Sequence, residues 1–172
     1  MTVSNLDDIA DWYKKNPEQD IGLHLTLTSE WKLYRWGPVS NELMNSSITD
    51  SEGYLWRRVK DVVSNVSVDD IEIEIRAQIN RARELGIEPG HIDTHMGALA
   101  VNKYLWRVYI EVGHKNKLVP MVTKSRGLNL FDEEFPMPEY IVPVNDIYML
   151  YPGADRTFIE NSTGADIANT LI

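Results

Sequence analysis

Cysteine is absent from the 172 residues, which excludes disulfides and thiolate metal sites. Any bound metal has to be held by histidine and carboxylate. Long apolar runs are missing too: none approaches the roughly 20 residues of a membrane-spanning helix, so no membrane role is expected. The first residues, Met1-Thr2-Val3-Ser4-Asn5-Leu6-Asp7-Asp8, lack the basic and then apolar order of a secretion signal, and a cytoplasmic location is the expectation. Positive charge is in deficit. Lys and Arg number 17 against 26 Asp and Glu, a formal charge of −9, and no basic cluster offsets it. Nucleic acid is therefore not an expected partner, because phosphate binding needs a basic face. Internal repeats and low-complexity tracts are lacking, and the length fits one domain over residues 1–172 with a sizeable core.

The pattern of what is present points to alternating helices and strands. Residues 6–15 read as a helix with Ile9, Trp12 and Tyr13 on one face, Asn5 as N-cap and Asp7 and Asp8 in the first turn. Asn16-Pro17 breaks it. Residues 21–28 read as a strand with Leu23, Leu25 and Leu27 on one face and His24 and Thr26 on the other. Residues 29–54 have little periodicity, and the aromatics Trp31, Tyr34 and Trp36 favour an ordered loop. The strongest helical stripe is Ile71, Ile75, Ile79 and Ala82 in residues 68–85, with Glu72 and Arg76 spaced for an exposed ion pair and Gly86 as the cap. A short strand from His91 to His95 follows, then a helix over residues 103–114 that buries Leu105, Val108, Tyr109 and Val112. Residues 118–122 read as a strand, 141–150 as room for one more, and the stretch after Gly153 as holding a last helix. This order predicts an α/β fold with a parallel sheet.

Three of the four histidines fall in two apolar-flanked segments, Ile21-Gly22-Leu23-His24-Leu25-Thr26-Leu27 and His91-Ile92-Asp93-Thr94-His95-Met96-Gly97. The i, i+2, i+4 spacing puts His91, Asp93 and His95 on one face of a strand. Imidazole is the commonest metal ligand, and a neighbouring carboxylate fixes its tautomer. A buried hydrogen-bonded cluster beside a turn would use the same residues, so spacing alone leaves both readings open. His114, near Lys115 and Lys117, reads as exposed and structural. The aromatic run after His24 suits either sugar stacking or packing onto the core, and the second is the commoner use. Asp7 and Asp8 are explained by their place in the first turn of a helix.

Gly22-Leu23-His24-Leu25-Thr26-Leu27-Thr28-Ser29-Glu30-Trp31, Tyr34-Arg35-Trp36-Gly37-Pro38-Val39 and His91-Ile92-Asp93-Thr94-His95-Met96-Gly97 closely resemble the YdjC-like carbohydrate deacetylase family. The resemblance runs from the first helix to at least Val122. It implies part of a TIM-like (β/α) barrel with parallel strands and outer helices, and metal-dependent removal of acetyl groups from N-acetylated sugars. By the same resemblance His24 and His95 are metal ligands, the cofactor is a divalent cation (zinc or magnesium), Asp93 supports catalysis and His91 is a structural neighbour. Met96-Gly97 stands where many members carry further histidines, which marks a subgroup. The family's N-terminal Asp-Asp ligand motif and its late catalytic histidine have no counterpart, because Asp7-Asp8 lacks a preceding strand and no His follows His114.

The chain thus reads as a middle portion of the family fold. In an intact member a polarised acetyl carbonyl is attacked by water, with a carboxylate taking the proton and an acid protonating the leaving amine. The expected function is a metal-dependent hydrolase of N-acetylated sugars or oligosaccharides, impaired where the missing groups matter. The alternative is a non-catalytic homologue that binds sugar or another subunit; uncovered strand edges would then favour homo-oligomers.

Overall fold

A computed structural model of the chain describes residues 6–123, 128–138, 140–144 and 147–151. Asn5 and the stretch after Gly153 lie outside these residues. Helix α1 (Leu6–Lys15) leads into strand β1 (Gly22–Leu25). A long segment holding one 3-10 turn, Asn41–Leu43, comes next, followed by α2 (Val59–Asn65) and α3 (Val68–Glu84). Strand β2 (His91–Thr94), a 3-10 stretch (His95–Ala100), α4 (Lys103–Lys115) and β3 (Val119–Thr123) continue the alternation. Strands β4 (Tyr140–Val144) and β5 (Ile147–Tyr151) complete it. The sheet has the order β1-β2-β3-β5-β4, with β1, β2 and β3 parallel. This is a mixed α/β fold whose parallel half matches the expected portion of a β/α barrel.

The last two strands depart from the expected single strand. They form an antiparallel pair, and β5 also runs antiparallel to β3. Only two residues separate them, a connection that suits a hairpin and is too short for a crossover to a parallel neighbour. Helix α2 was not anticipated either. At seven residues it buries one side chain, Val62, too little to leave a 3.6-residue signature.

The core lies between the sheet and α3 and α4. Ile71, Ile75 and Ile79 on α3 are fully buried, as the stripe requires, and each contributes about 1.5–3 kcal/mol relative to exposure. Ser67 caps α3 by accepting the amide of Asp70, and Gly86, at φ 82°, ends it through bonds from its own N–H to Arg83 O and from Ile87 N–H to Ala82 O. Glu72 and Arg76 form the expected ion pair on its outer face, worth a few tenths of a kcal/mol. Helix α4 approaches the sheet closely at Gly113, where a Cβ would come within 2.8 Å of Pro120 Cγ and 2.9 Å of Ile92 Cδ1. On α1, Ala10 is the buried residue, and Ile9 and Tyr13 pack partly against the core. Trp12, expected on that face, is half exposed, because ten residues with both ends charged bury only a narrow stripe.

His114 is not exposed, as expected, but half-buried, with Nε2 2.9 Å from the carbonyl oxygen of Leu150. Burial pushes its pKa below the ordinary imidazole value, and the bond to Leu150 only partly opposes this. The Leu150 carbonyl belongs to β5. Among the described residues no helix is long and apolar enough to cross a membrane.

One side chain ties β2 to β3. The hydroxyl of Tyr109, on a fully buried ring, lies 2.7 Å from Ile92 O and 2.9 Å from Met121 O, and it accepts the Met121 N–H at 3.0 Å. Burial pushes this phenol's pKa well above its usual value, so it stays a donor. Tyr109→Phe strands the Met121 amide and should cost roughly 1–3 kcal/mol, read as a lower urea midpoint at unchanged slope.

Candidate functional site

Strand alternation puts Leu23, Leu25 and Ile92 into the core and leaves His24 and Asp93 on the opposite face. The parallel register then pairs His24 with Asp93 directly. Their side chains meet, His24 Nδ1 lying 2.7 Å from Asp93 Oδ1. After Thr94 the chain leaves the strand. Met96 and Gly97 take left-handed conformations, at φ 54° and 66°. For a non-glycine residue this costs on the order of 1–3 kcal/mol. The turn begins at His95, whose ring stands edge-on to that of His24, with centroids 5.1 Å apart. His24 Nε2 and His95 Nδ1 are 3.1 Å apart. On its far side His95 Nε2 lies 3.0 Å from Glu30 Oε1, and Glu30 Oε2 accepts the Thr28 hydroxyl at 3.4 Å. The result is a continuous line, Asp93–His24–His95–Glu30.

The chemistry of that line is specific. Ionised carboxylates only accept, so His24 Nδ1–H donates to Asp93 and His95 Nε2–H donates to Glu30. The two remaining ring nitrogens then face each other as lone pairs at 3.1 Å. A proton carried by either ring makes this contact an N–H···N hydrogen bond, and a metal ion is the other species that two such lone pairs can share. Two nitrogen donors at about 2.0–2.1 Å from one ion sit roughly 3.0–3.4 Å apart, so the observed spacing fits a shared ion. Among the described residues no group of three or more His, Asp or Glu side chains is arranged to hold a metal. The two imidazoles are thus what the described residues offer an ion.

Partial burial works against the charge of Glu30. Hydrogen bonds from its own amide, His95 and Thr28 outweigh that and hold its pKa below the usual carboxylate value. Glu30 therefore stays an acceptor for His95. The site is open: His24 and Asp93 side chains are about half exposed, His95 and Glu30 about a quarter.

The three expected site residues, His24, Asp93 and His95, come together. His91 is held apart, its ring lying over Gly22, where a Cβ would come within 2.1 Å of its Nε2. Its Nδ1 is 3.5 Å from Asp20 without making a hydrogen bond. Asp7 and Asp8 are exposed on α1 and take no part. Glu30 joins His24, Asp93 and His95 without having been among the expected site residues. Its signal was parity: His24, Thr26, Thr28 and Glu30 recur every second residue, the period of one extended face. The aromatics Trp31, Tyr34 and Trp36 form a triangle with centroids 6.0–6.4 Å apart. Trp36 packs against the core, whereas Trp31 is 58% and Tyr34 47% exposed.

The model of the family described as YdjC-like protein matches residues 1–147. A carbohydrate deacetylase of Thermus thermophilus is 30% identical over 145 residues, which are 77% of this chain and 53% of that protein. One of Enterococcus faecalis is 30% identical over 141 residues, 82% of this chain and 52% of that protein. The chain thus spans about half the length of these curated relatives. A solved Enterococcus faecalis structure, described as that of a candidate cellobiose-phosphate cleavage protein, superposes with a TM-score of 0.61 over 92% of this chain and 70% of its own. At 21% identity that likeness establishes the fold alone.

A polar pair on α3, Glu74 and Gln78, holds the backbone that follows β1. β1 is the terminal strand of the sheet, and the Gln78 amide accepts the Thr26 N–H at 3.0 Å and donates to the Thr26 carbonyl at 2.8 Å, as a peptide of a neighbouring strand would. Glu74, fully buried, accepts the amides of Val39 and Ser40 and the Gln78 side chain. Burial raises the Glu74 pKa above its ordinary 4.5, and these hydrogen bonds only partly offset it. A raised carboxyl stabilises the fold most below its unfolded value and loses that contribution as pH rises through the folded value. Glu74→Gln removes this loss. Urea midpoints of the variant should therefore gain on the parent's as pH climbs above about 4.5; a constant gap would contradict the assignment.

Proposed function

The chain belongs to the YdjC-like family, and from that premise we propose that its site serves metal-dependent removal of acetyl groups from N-acetylated sugars. The observation that supports this most is the facing pair of nitrogens, His24 Nε2 and His95 Nδ1, each on a ring whose other nitrogen is held by a carboxylate. The curated relatives named carbohydrate deacetylase supply the substrate class.

In this reading His24 and His95 hold a divalent cation, which, when bound, supplies Lewis-acid polarisation of the acetyl carbonyl and acidification of water. The chain's own residues do the rest of what is visible. Asp93 fixes the tautomer and plane of His24, and Glu30 does the same for His95, so both present an unprotonated nitrogen. A two-imidazole donor set favours zinc over magnesium, which prefers oxygen ligands and keeps its waters. The half-exposed rim gives a bulky oligosaccharide access. Asp93 and Glu30 act through the histidines and are positioning residues in this account.

Two measurements test it. Calorimetric zinc titration should give one site, lost in His24→Ala and His95→Ala and weakened about 10- to 100-fold in Asp93→Asn and Glu30→Gln. Zinc-dependent acetate release from chitooligosaccharides should follow the same order. Zinc binding with no acetate from any N-acetylated sugar would favour the sugar-binding or interaction reading; no zinc binding at all would sink the metal centre.

A further inference from the structure

Tryptophan and tyrosine side chains left in solvent on a loop normally collapse onto the core. Trp31 and Tyr34 do not, although the loop that carries them is firmly held. Arg35, between them and Trp36, turns inward with a side chain only 6% exposed. It pairs with Asp50 at 2.7 Å and Glu52 at 3.2 Å, and it donates to the carbonyls of Ser29 and Leu55. The Trp36 amide donates to Ser29 Oγ at 2.9 Å, and Arg57 Nη1 donates to the Trp31 carbonyl at 3.1 Å. The backbone on either side of the aromatics is thus anchored by buried or charged groups while the two rings stay out.

Their geometry leaves usable faces. Trp31 meets Trp36 edge-on, at 82°, and Tyr34 at a tilt of 54°. Such contacts engage an edge or part of one face, and more than half of the Trp31 surface remains in solvent. Leu33, 94% exposed, extends the apolar surface. The patch begins at the residue after Glu30, the carboxylate that clamps His95. A flat, rigid, partly apolar surface with hydrogen-bonding edges matches the C–H face of a pyranose ring, and pre-held rings lose little side-chain entropy on binding.

We propose that Trp31 and Tyr34, on the segment that follows the His95-binding Glu30, form a stacking platform for a pyranose unit of the substrate. The identity of the sugar as N-acetylated rests on the deacetylase reading; the stacking itself does not, because a C–H face is common to acetylated and unacetylated β-linked sugars. Trp36 props the platform from the core side, and Arg35 fixes the loop.

The test is calorimetric titration of the full chain with tri-N-acetylchitotriose and, separately, cellotriose. The parent should bind both. Trp31→Ala and Tyr34→Ala should each weaken binding about five- to tenfold, and Trp31→Phe, which restores a flat ring, should stay within about twofold. Trp31→Leu keeps apolar bulk without a flat face and should behave like the alanine variant. Binding unchanged in Trp31→Leu and Tyr34→Ala, or no binding of either sugar by the parent, overturns the platform. Acetate release is read on the samples that hold the acetylated sugar. Trp31-dependent binding without acetate release keeps the platform and removes the deacetylase reading, whereas acetate release insensitive to both rings does the reverse.

Discussion

The parallel register of β1 against β2 is the constraint on which the site depends. Pairing His24 with Asp93 puts a carboxylate on the imidazole, 2.7 Å from its Nδ1. A slip of one residue would turn His24 into the core and bring Leu23 or Leu25 out. Burial of Leu23, Leu25 and Ile92 therefore does two jobs: it stabilises the sheet against α3 and α4, and it forbids any register in which the site could not form. Tyr109 locks the next pair, binding the backbone of both β2 and β3.

The site is assembled from different kinds of backbone, and each part does what its geometry allows. Strands supply His24 and Asp93 with little freedom. A left-handed Met96-Gly97 turn sets His95 across them, and an irregular segment brings Glu30 to its far side. The irregular part is the one that needs support, and it receives it from α3, where Glu74 and Gln78 bind the backbone of Val39, Ser40 and Thr26. A buried acid with a raised pKa is a cost accepted there because two amides in a loop otherwise have no acceptor.

Much of this was legible in the residues. The isoleucine stripe of α3, the Gly86 cap, the alternation that turns His24 away from the leucines, and the resemblance in three motifs all act locally, and local signals survive in a linear sequence. What was not legible depends on distant partners. Glu30 acquires meaning only when the turn after β2 brings His95 to it, 65 positions away in the chain. His114 looked exposed because its hydrogen-bond partner, the backbone of Leu150, lies 36 residues further on. The β4–β5 hairpin escaped because Pro143 and the short connection masked two strands as one. His91 satisfied the spacing rule yet is diverted over Gly22, which shows that sharing a face is not the same as sharing a site.

The central claim is that carboxylates clamp both imidazoles so that His24 Nε2 and His95 Nδ1 are the free, converging nitrogens. Long-range proton–nitrogen correlation spectra of the histidine rings read this directly. The account predicts the Nδ1–H tautomer for His24 and the Nε2–H tautomer for His95, with added zinc shifting only the other nitrogen of each ring. The opposite tautomers, or zinc shifts at the carboxylate-bound nitrogens, would contradict it.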